Sequence, residues 1–261
     1  HYAKRFRALP RWARRVASLA ARRLPADRHS RLLNVMRLAK GFVASAEMGA
    51  DERYRSYLQV LGRDMVSSLL LEPPAPGPDR LEAAFAGAGR ADELNRMLAV
   101  DAETQLPDDL LLLTDKMSMA VSLECRVPLL DHELVELAAA MPAEIKIRDG
   151  RLKHVMKAAL APMLPDDILQ RKKRGFGTPM GAWLKKELAP VLKQVLSPAV
   201  VRARGLFDPA TIGALVADHE ANRSDGTDGL LALMNLEIWS RVYLDRRDAA
   251  DVAAELKGCV A

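Results

Sequence analysis

The sequence predicts a mostly helical fold. In most segments, apolar residues recur three and four positions apart, the spacing that places side chains on one face of a helix. Helix-capping residues precede several of these segments, among them Asp131 and the pair Asp208 and Pro209. The alternation of apolar and polar residues that is typical of strands is confined to residues 144–150, which we interpret as an extended connector ending in a turn. Together these features predict about eight to ten helices.

The first part of the chain, residues 1–72, is predicted to be helical and basic. Between Lys4 and Arg31 there are ten lysines and arginines and a single acid, Asp27. We expect these cations to line a solvated helix face; an acidic partner inside the protein and a nucleic acid are the alternatives. Because no recognisable nucleic-acid-binding motif accompanies the cations, no nucleic-acid partner is expected.

A Pro-rich loop, residues 73–80, separates this part from a motif-bearing helical part, residues 81–245, and residues 246–261 are predicted to be a tail. Within the motif-bearing part, one helix is predicted to begin at Asp131 and to end at Pro142. The residues that this helix is expected to bury are Leu134, Val135, Ala138 and Met141.

Two further helices are predicted from their apolar side chains. Residues 150–164 place one stripe of apolar side chains on a helix, with Lys153 beside the stripe. The stripe consists of Leu152, Val155, Met156, Ala159, Leu160 and Met163. Residues 227–244 are apolar almost all round, which predicts a central helix.

The composition argues against several classes of protein. No apolar run approaches the roughly 20 residues of a membrane-spanning helix, so no membrane partner is expected. Cys125 and Cys259 are too far apart in sequence to indicate a disulfide scaffold, and we expect reduced thiols in a cytoplasmic protein. The histidines are scattered without the spacing of metal ligands, so no metal site is expected.

The densest group of unusual residues lies within residues 106–131. If residues 108–124 are helical, acids interrupt an otherwise apolar segment, and burying any of them requires a partner. These acids are Asp108, Asp109, Asp115 and Glu124. Arg126, which follows them, is either their structural counter-ion or part of the wall of a ligand pocket. Cys125 has no base near it in sequence, so we expect a buried small side chain rather than a nucleophile.

The strongest signal is carried by four stretches within residues 114–245. They read "TDKMSMAVSLECRVPLLDHELVELAAAMP", "IKIRDGRLKHVMKAAL", "LPDDILQRKKRGFGTPMGAWL" and "ALMNLEIWSRVYLD". In this order and spacing they resemble the synthetase domain of glutamine-dependent asparagine synthetases. The opening "HYAKRFRALPRWARR" resembles a less specific part of the same family.

The resemblance implies a fold and an activity. The fold would be the helical C-terminal portion of an α/β synthetase domain of the adenine-nucleotide α-hydrolase-like, PP-loop ATP pyrophosphatase type. The activity would be a ligase reaction that uses ATP and Mg²⁺ to adenylate the side-chain carboxylate of aspartate, after which glutamine-derived ammonia displaces AMP. A homodimer is a further expectation. A related amidotransferase acting on another carboxylate, or a non-catalytic helical binding module, are the alternatives.

The resemblance also assigns site residues. Aligned on Gly175 and Phe176, the family's lysine at the reacting centre corresponds to Lys173, and its pyrophosphate-binding lysine corresponds to Lys153. Arg126 matches an arginine of the active-site wall, and Asp115 and Glu124 lie in the same matching block. The reaction develops negative charge first at phosphorus and then at a tetrahedral carbon, where a lysine can act as a compact, fixed cation.

The sequence also departs from the family. It opens with His1 and contains neither a glutaminase domain, with its catalytic N-terminal cysteine, nor the Ser-Gly-Gly-x-Asp-Ser pyrophosphate loop. We therefore expect a fragment that works with the glutaminase and nucleotide-binding regions of the same enzyme. By itself, the segment is expected neither to hydrolyse glutamine nor to bind ATP tightly.

Overall fold

A computed structural model describes residues 6–25, 30–72, 77, 79–171 and 178–259 of the chain. The chain divides into two compact units, one formed by residues 1–75 and 177–261 and the other by residues 76–176. The described residues form helices and two isolated β-bridges but no strand. The predicted mostly helical fold is therefore confirmed for this part of the chain.

The helices are numbered here in chain order. As far as Gln170 they are α1 Arg11–Arg22, α2 Arg31–Ser45, α3 Ala50–Leu58, α4 Arg63–Leu69, α5 Arg80–Gly87, α6 Glu93–Glu103, α7 Leu112–Met119, α8 His132–Ala140, α9 Ala143–Lys146, α10 His154–Leu160 and α11 Asp166–Gln170. They continue with α12 Met180–Lys185, α13 Ala189–Val195, α14 Pro198–Arg204, α15 Pro209–Glu220, α16 Thr227–Tyr243 and α17 Ala249–Gly258. A π-helical turn, Leu106–Leu111, precedes α7, and a 3₁₀ turn, Pro128–Leu130, precedes α8.

The core of the first unit lies among α12, α13, α15 and α16. Its most completely buried apolar side chains include Leu184, Leu192, Val195, Ile212 and Leu230. The prediction of a central helix is right for only one face of α16, because Trp239 and Tyr243 are exposed on the other. The start of α15 forms as predicted: the Asp208 carboxylate accepts hydrogen bonds from the first backbone N–H groups of the helix, and Pro209 follows it.

A network of ion pairs links helices α14, α16 and α17 of the first unit. Arg204 donates hydrogen bonds to Asp245 through both Nη atoms, at 2.9 and 2.8 Å, and to Glu237 through Nε at 2.9 Å. Arg241 Nε lies 3.0 Å from Glu237 Oε1, and Arg241 Nη1 lies 2.9 Å from Glu255 Oε1. Glu255 belongs to α17. Residues 246–261, predicted to be a tail, therefore contain a helix that is joined to α16 by an ion pair.

The basic helix α1 has large apolar side chains that the described residues leave exposed. Ala21 is buried, whereas Trp12, Val16 and Leu19 are all more than half exposed. Arg14 is mostly buried and lies 2.7 Å from Glu47. Arg14 therefore has an acidic partner within the same unit. For this one cation, the alternative of an acidic partner inside the protein applies.

The second unit has a sparse core. Its buried apolar residues in the described part are Ala84, Phe85, Val100 and Leu169. The predicted burial of α8 is wrong: Leu134 and Val135 are each 40% exposed, Ala138 is exposed and Met141 is half-buried. Asp131 does cap this helix by accepting from the backbone N–H groups of Glu133 and Leu134. The amphipathic pattern is therefore present, but the described residues leave its apolar face uncovered.

Across the described part of the chain, none of the helices has the length and apolar character needed to cross a lipid bilayer.

Candidate active site

Asp115 lies on the exposed surface of α7, which follows directly on the π-helical turn. The helix ends in a Schellman motif: the Leu123 N–H donates to the Ser118 carbonyl at 3.0 Å and the Ser122 N–H donates to the Met119 carbonyl at 3.0 Å. Ser122 supplies the left-handed residue of the motif, with φ of 59°. The motif reverses the chain before Glu124, so Glu124 and Arg126 lie beyond the helix that carries Asp115.

Glu124 and Arg126 form an ion pair in this segment, which has no regular secondary structure. Arg126 Nη2 lies 3.0 Å from Glu124 Oε1, and the two side chains are 83% and 67% exposed. From the sequence, Arg126 is either a structural counter-ion of the nearby acids or part of a pocket wall. In the structure it does pair with one of those acids, Glu124, but both side chains are exposed. In the described part of the chain, Asp115, Arg126 and Lys153 form no ion pairs with one another.

Lys153 occupies an unusual backbone position. A tight turn precedes it, in which Asp149 and Gly150 both have positive φ and Arg148 and Arg151 exchange backbone hydrogen bonds. Lys153 itself is left-handed, with φ of 58° and ψ of 35°, and it caps α10. Non-glycine residues with this conformation are uncommon and cluster at functional sites.

The sequence predictions for residues 144–164 are wrong in two respects. The helix begins at His154, so Lys153 and Leu152 precede it, and Leu152 and Met163 are 62% and 75% exposed. The predicted connector 144–150 is helical in α9 and becomes extended only at Ile147, although its turn at Asp149 is confirmed.

Lys173, which the resemblance places at the reacting centre, lies outside the described residues, as do its neighbours 172–177. The described chain reaches Arg171, just after α11, and resumes at Thr178 before α12. Cys125 is exposed, so the prediction of a buried side chain is wrong. This cysteine lies in a segment without regular secondary structure.

The second unit contains a polar cluster that was not predicted from the sequence. The Asn95 side chain donates to Asp92 Oδ2 at 2.6 Å and to the Met141 carbonyl at 3.2 Å, and Lys146 Nζ donates to Asn95 Oδ1. Hydrogen bonds from the Asn95 backbone and side chain hold the pKa of Asp92 below its ordinary value. Asp92 could have been recognised as a helix cap, but the contacts of Asn95 with Met141 and Lys146 depend on the tertiary fold.

The described residues contain cations suited to phosphate but no group of acids and histidines that could hold a metal ion. Lys153 and Arg126 are both exposed and lie in the same compact unit. Such cations can bind phosphate oxygens or a carboxylate. Carboxylates that bind Mg²⁺ are not grouped in this part of the chain.

Comparison with known proteins identifies the family. The family model described as asparagine synthase matches residues 2–241. Glutamine-hydrolysing asparagine synthetase 1 of Bacillus subtilis is 28% identical over 76% of this chain and 31% of its own length. A putative glutamine-hydrolysing asparagine synthetase of Mycobacterium bovis is 28% identical over 79% of this chain and 32% of its own length. Asparagine synthetase 3 of Bacillus subtilis is 52% identical over a shorter segment, 24% of this chain and 10% of its own length.

No solved structure matches the chain. The chain thus spans about a third of the length of the first two of these relatives. The family model includes all five site residues predicted from the sequence: Asp115, Glu124, Arg126, Lys153 and Lys173. Because the match covers nearly the entire chain, the protein belongs to the asparagine synthase family.

Proposed function

We propose that this chain is the C-terminal part of the synthetase domain of a glutamine-hydrolysing asparagine synthetase. In this proposal the enzyme adenylates the side-chain carboxylate of aspartate with ATP and transfers ammonia to it, forming asparagine. The observation that carries the proposal is the family match over residues 2–241, combined with the location of the four described site residues in one compact unit.

The chemistry explains why cations are needed. In the first step an aspartate oxygen attacks the α-phosphorus of ATP, and the bond to the leaving pyrophosphate breaks. In the second step ammonia attacks the activated carbonyl carbon, loses a proton, and AMP leaves. Each step passes through a centre with additional negative charge, which a fixed ammonium group stabilises most where water is excluded.

The residues then take separate roles. Lys153 contacts the leaving pyrophosphate, and its left-handed backbone fixes the point from which its side chain extends. Lys173 lies at the reacting centre. Arg126 presents a planar guanidinium to an anionic group, and Glu124, 3.0 Å away, limits the orientations of that guanidinium. Asp115 contributes a carboxylate on α7 to the same unit.

The enzyme would require regions beyond this chain. The glutaminase region supplies ammonia, and a nucleotide-binding region supplies the phosphate loop and the Mg²⁺ ligands. The exposed apolar side chains of α8, including Leu134, Val135 and Leu137, support a further protein surface against this unit, since an uncovered apolar helix face is costly in water. We propose that the nucleotide-binding region provides that surface.

The decisive experiment uses the full-length enzyme with glutamine, ATP and aspartate. Lys173→Ala should lower turnover by at least about 100-fold, the cost of removing a group that stabilises transition-state charge. Lys172→Ala, which removes the adjacent cation, is the matched control and should retain turnover within about threefold. The proposal fails if both variants behave alike, or if the wild-type enzyme forms no asparagine. Offering a panel of other carboxylic acids shows whether a different acceptor is used.

A further inference from the structure

Helix α16 carries its charged side chains on its buried face. Between Gly229 and Tyr243 the only charged residues are Glu237 and Arg241. Both are buried, and Arg241 Nε lies 3.0 Å from Glu237 Oε1. The exposed face of this stretch therefore has no charge. A helix at the surface of a globular protein usually has the opposite pattern, with its charged residues toward water.

The exposed face of α16 is instead apolar and aromatic. Trp239 is 47% exposed and Tyr243 is 66% exposed, and their ring centroids lie 5.5 Å apart. Leu236 and Ala232, both exposed, continue this face toward the start of the helix at spacings of three and four residues. We refer to these four residues as the α16 stripe. Tyr and Trp are enriched at protein interfaces, and charged residues are depleted at interface cores, so the α16 stripe has the composition of an interface.

The two ends of the α16 stripe differ in size. Ala232 provides a small side chain near the start, and Trp239 and Tyr243 provide large rings near the end. Two copies of α16 packed antiparallel, about a two-fold axis near Leu236, place the small end of each copy opposite the large end of the other. Parallel packing would place ring against ring and leave a gap between the two alanines.

The charges that flank the α16 stripe favour the same arrangement. Asp228 is exposed just before the stripe, and Arg246 is exposed just after it. In the antiparallel arrangement, Asp228 of each copy lies toward Arg246 of the other copy. Parallel packing would bring like charges together, which costs free energy at an interface. The face is therefore complementary to itself in both size and charge.

We propose that the α16 stripe is a dimerisation surface, and that its partner is the α16 stripe of a second copy packed antiparallel. A two-fold interface uses the same patch on both subunits, so the patch must be self-complementary. A stable interface buries about 800 Å² on each partner, more than one helix face supplies. Two further exposed leucines extend the apolar surface: Leu206 lines a small pocket together with Leu236, and Leu244 directly follows the helix.

The first test measures self-association of the full-length enzyme by analytical ultracentrifugation over a range of concentrations. The wild type should be a dimer. Trp239→Glu places a charge in the apolar contact twice per dimer and should raise the Kd for dimerisation by at least about 100-fold. Ala214→Glu, which adds the same charge at an exposed position of α15, is the matched control and should change the Kd by less than about threefold. A monomeric wild type, or the same Kd for both variants, would overturn the proposal.

A second variant guards against misfolding of the first. Tyr243 is the more exposed of the two aromatic residues and is the last residue of α16, so Tyr243→Glu should leave the fold of the unit intact. It should also weaken the dimer by about tenfold or more. A correctly folded Tyr243→Glu enzyme that dimerises as tightly as the wild type would contradict the proposal.

Cysteine cross-linking tests the antiparallel arrangement. Leu236→Cys lies near the two-fold axis and should form a disulfide with the same residue of the second copy, because the two Cα atoms lie close together. Tyr243→Cys should not link to itself, since the two positions are about 21 Å apart along the helix axes. Both variants also carry Cys125→Ser, which removes an exposed native thiol, and mass spectrometry identifies the linked peptides. A self-link at Tyr243→Cys, or no self-link at Leu236→Cys, would overturn the antiparallel dimer.

Discussion

Arg126 Nη2 and Glu124 Oε1 lie 3.0 Å apart on an exposed segment just after a Schellman motif. An exposed ion pair of this kind contributes at most about 1 kcal/mol to the stability of a protein, so folding gives little reason for this pairing. The pair does restrict the guanidinium of Arg126. In the proposed function, the pair orients the planar cation of Arg126 toward an anion.

Replacing Arg126 should therefore affect activity more than stability. Arg126→Lys keeps the charge but loses the planar, bidentate donor, and in the full-length enzyme it should lower kcat/KM by about tenfold or more. Arg151→Lys, at another exposed arginine of the same unit, should change it by less than about twofold. Steady-state kinetics and thermal melting measure the two effects. A melting temperature that falls in parallel with activity would instead make Arg126 a structural residue.

At Lys153, a single substitution is expected to affect stability and activity differently. A left-handed backbone costs a non-glycine residue roughly 1 kcal/mol, and glycine removes that cost. Lys153→Gly should therefore leave the free energy of unfolding unchanged or raise it by up to about 1 kcal/mol, while it weakens inhibition by pyrophosphate and lowers turnover. Lys157→Ala, which removes a cation from the neighbouring helix, is the control for charge. Unchanged pyrophosphate inhibition in Lys153→Gly would remove this lysine from the site.

Features that depend on neighbouring residues in the sequence were predictable. Asp131 and Asp208 were recognised as helix caps because a cap involves only the next few backbone N–H groups. The end of α7 was harder to predict, because the left-handed position of its Schellman motif is occupied by Ser122 rather than the usual glycine.

Features that depend on distant residues were not predictable from periodicity. Leu134 and Val135 have the correct spacing for a buried face, but burial also requires a surface that packs against them. The contacts of His219 with Gly181 and Gly226 join segments whose proximity no local pattern encodes. Lys153 is predicted to be a site residue from a family motif, whereas its left-handed backbone is visible only in the structure.

Replacing Ser122 by glycine should make the protein more stable. Ser122→Gly relieves the left-handed strain at the end of α7 and should raise the free energy of unfolding by up to about 1 kcal/mol. Ser122→Val should lower it, because a β-branched residue is poorly accommodated at positive φ. Denaturant unfolding of both variants measures the difference. The opposite order of stability would show that this turn does not have the left-handed conformation.

The ion network of the first unit predicts a loss of stability in acid. The hydrogen bonds from Arg204 lower the pKa of Asp245 below its ordinary value of 3.8. The hydrogen bond from Arg247, with the charge of Arg241, lowers the pKa of Glu255 below 4.5. Because both values are lower in the folded protein, the stabilisation is fully present above the ordinary values. It is lost as the pH falls through the folded values, when the carboxylates become protonated.

Thermal unfolding between pH 7 and pH 3 should therefore show a melting temperature that declines mainly below about pH 4.5. Asp245→Asn removes one titrating group and should melt at a lower temperature at pH 7 but show a shallower decline in acid. Asp251→Asn, which removes an exposed carboxylate of α17 outside the network, should follow the wild-type curve. If Asp245→Asn declines as steeply as the wild type, the acid sensitivity originates elsewhere in the protein, and the bidentate contact with Arg204 is not its source.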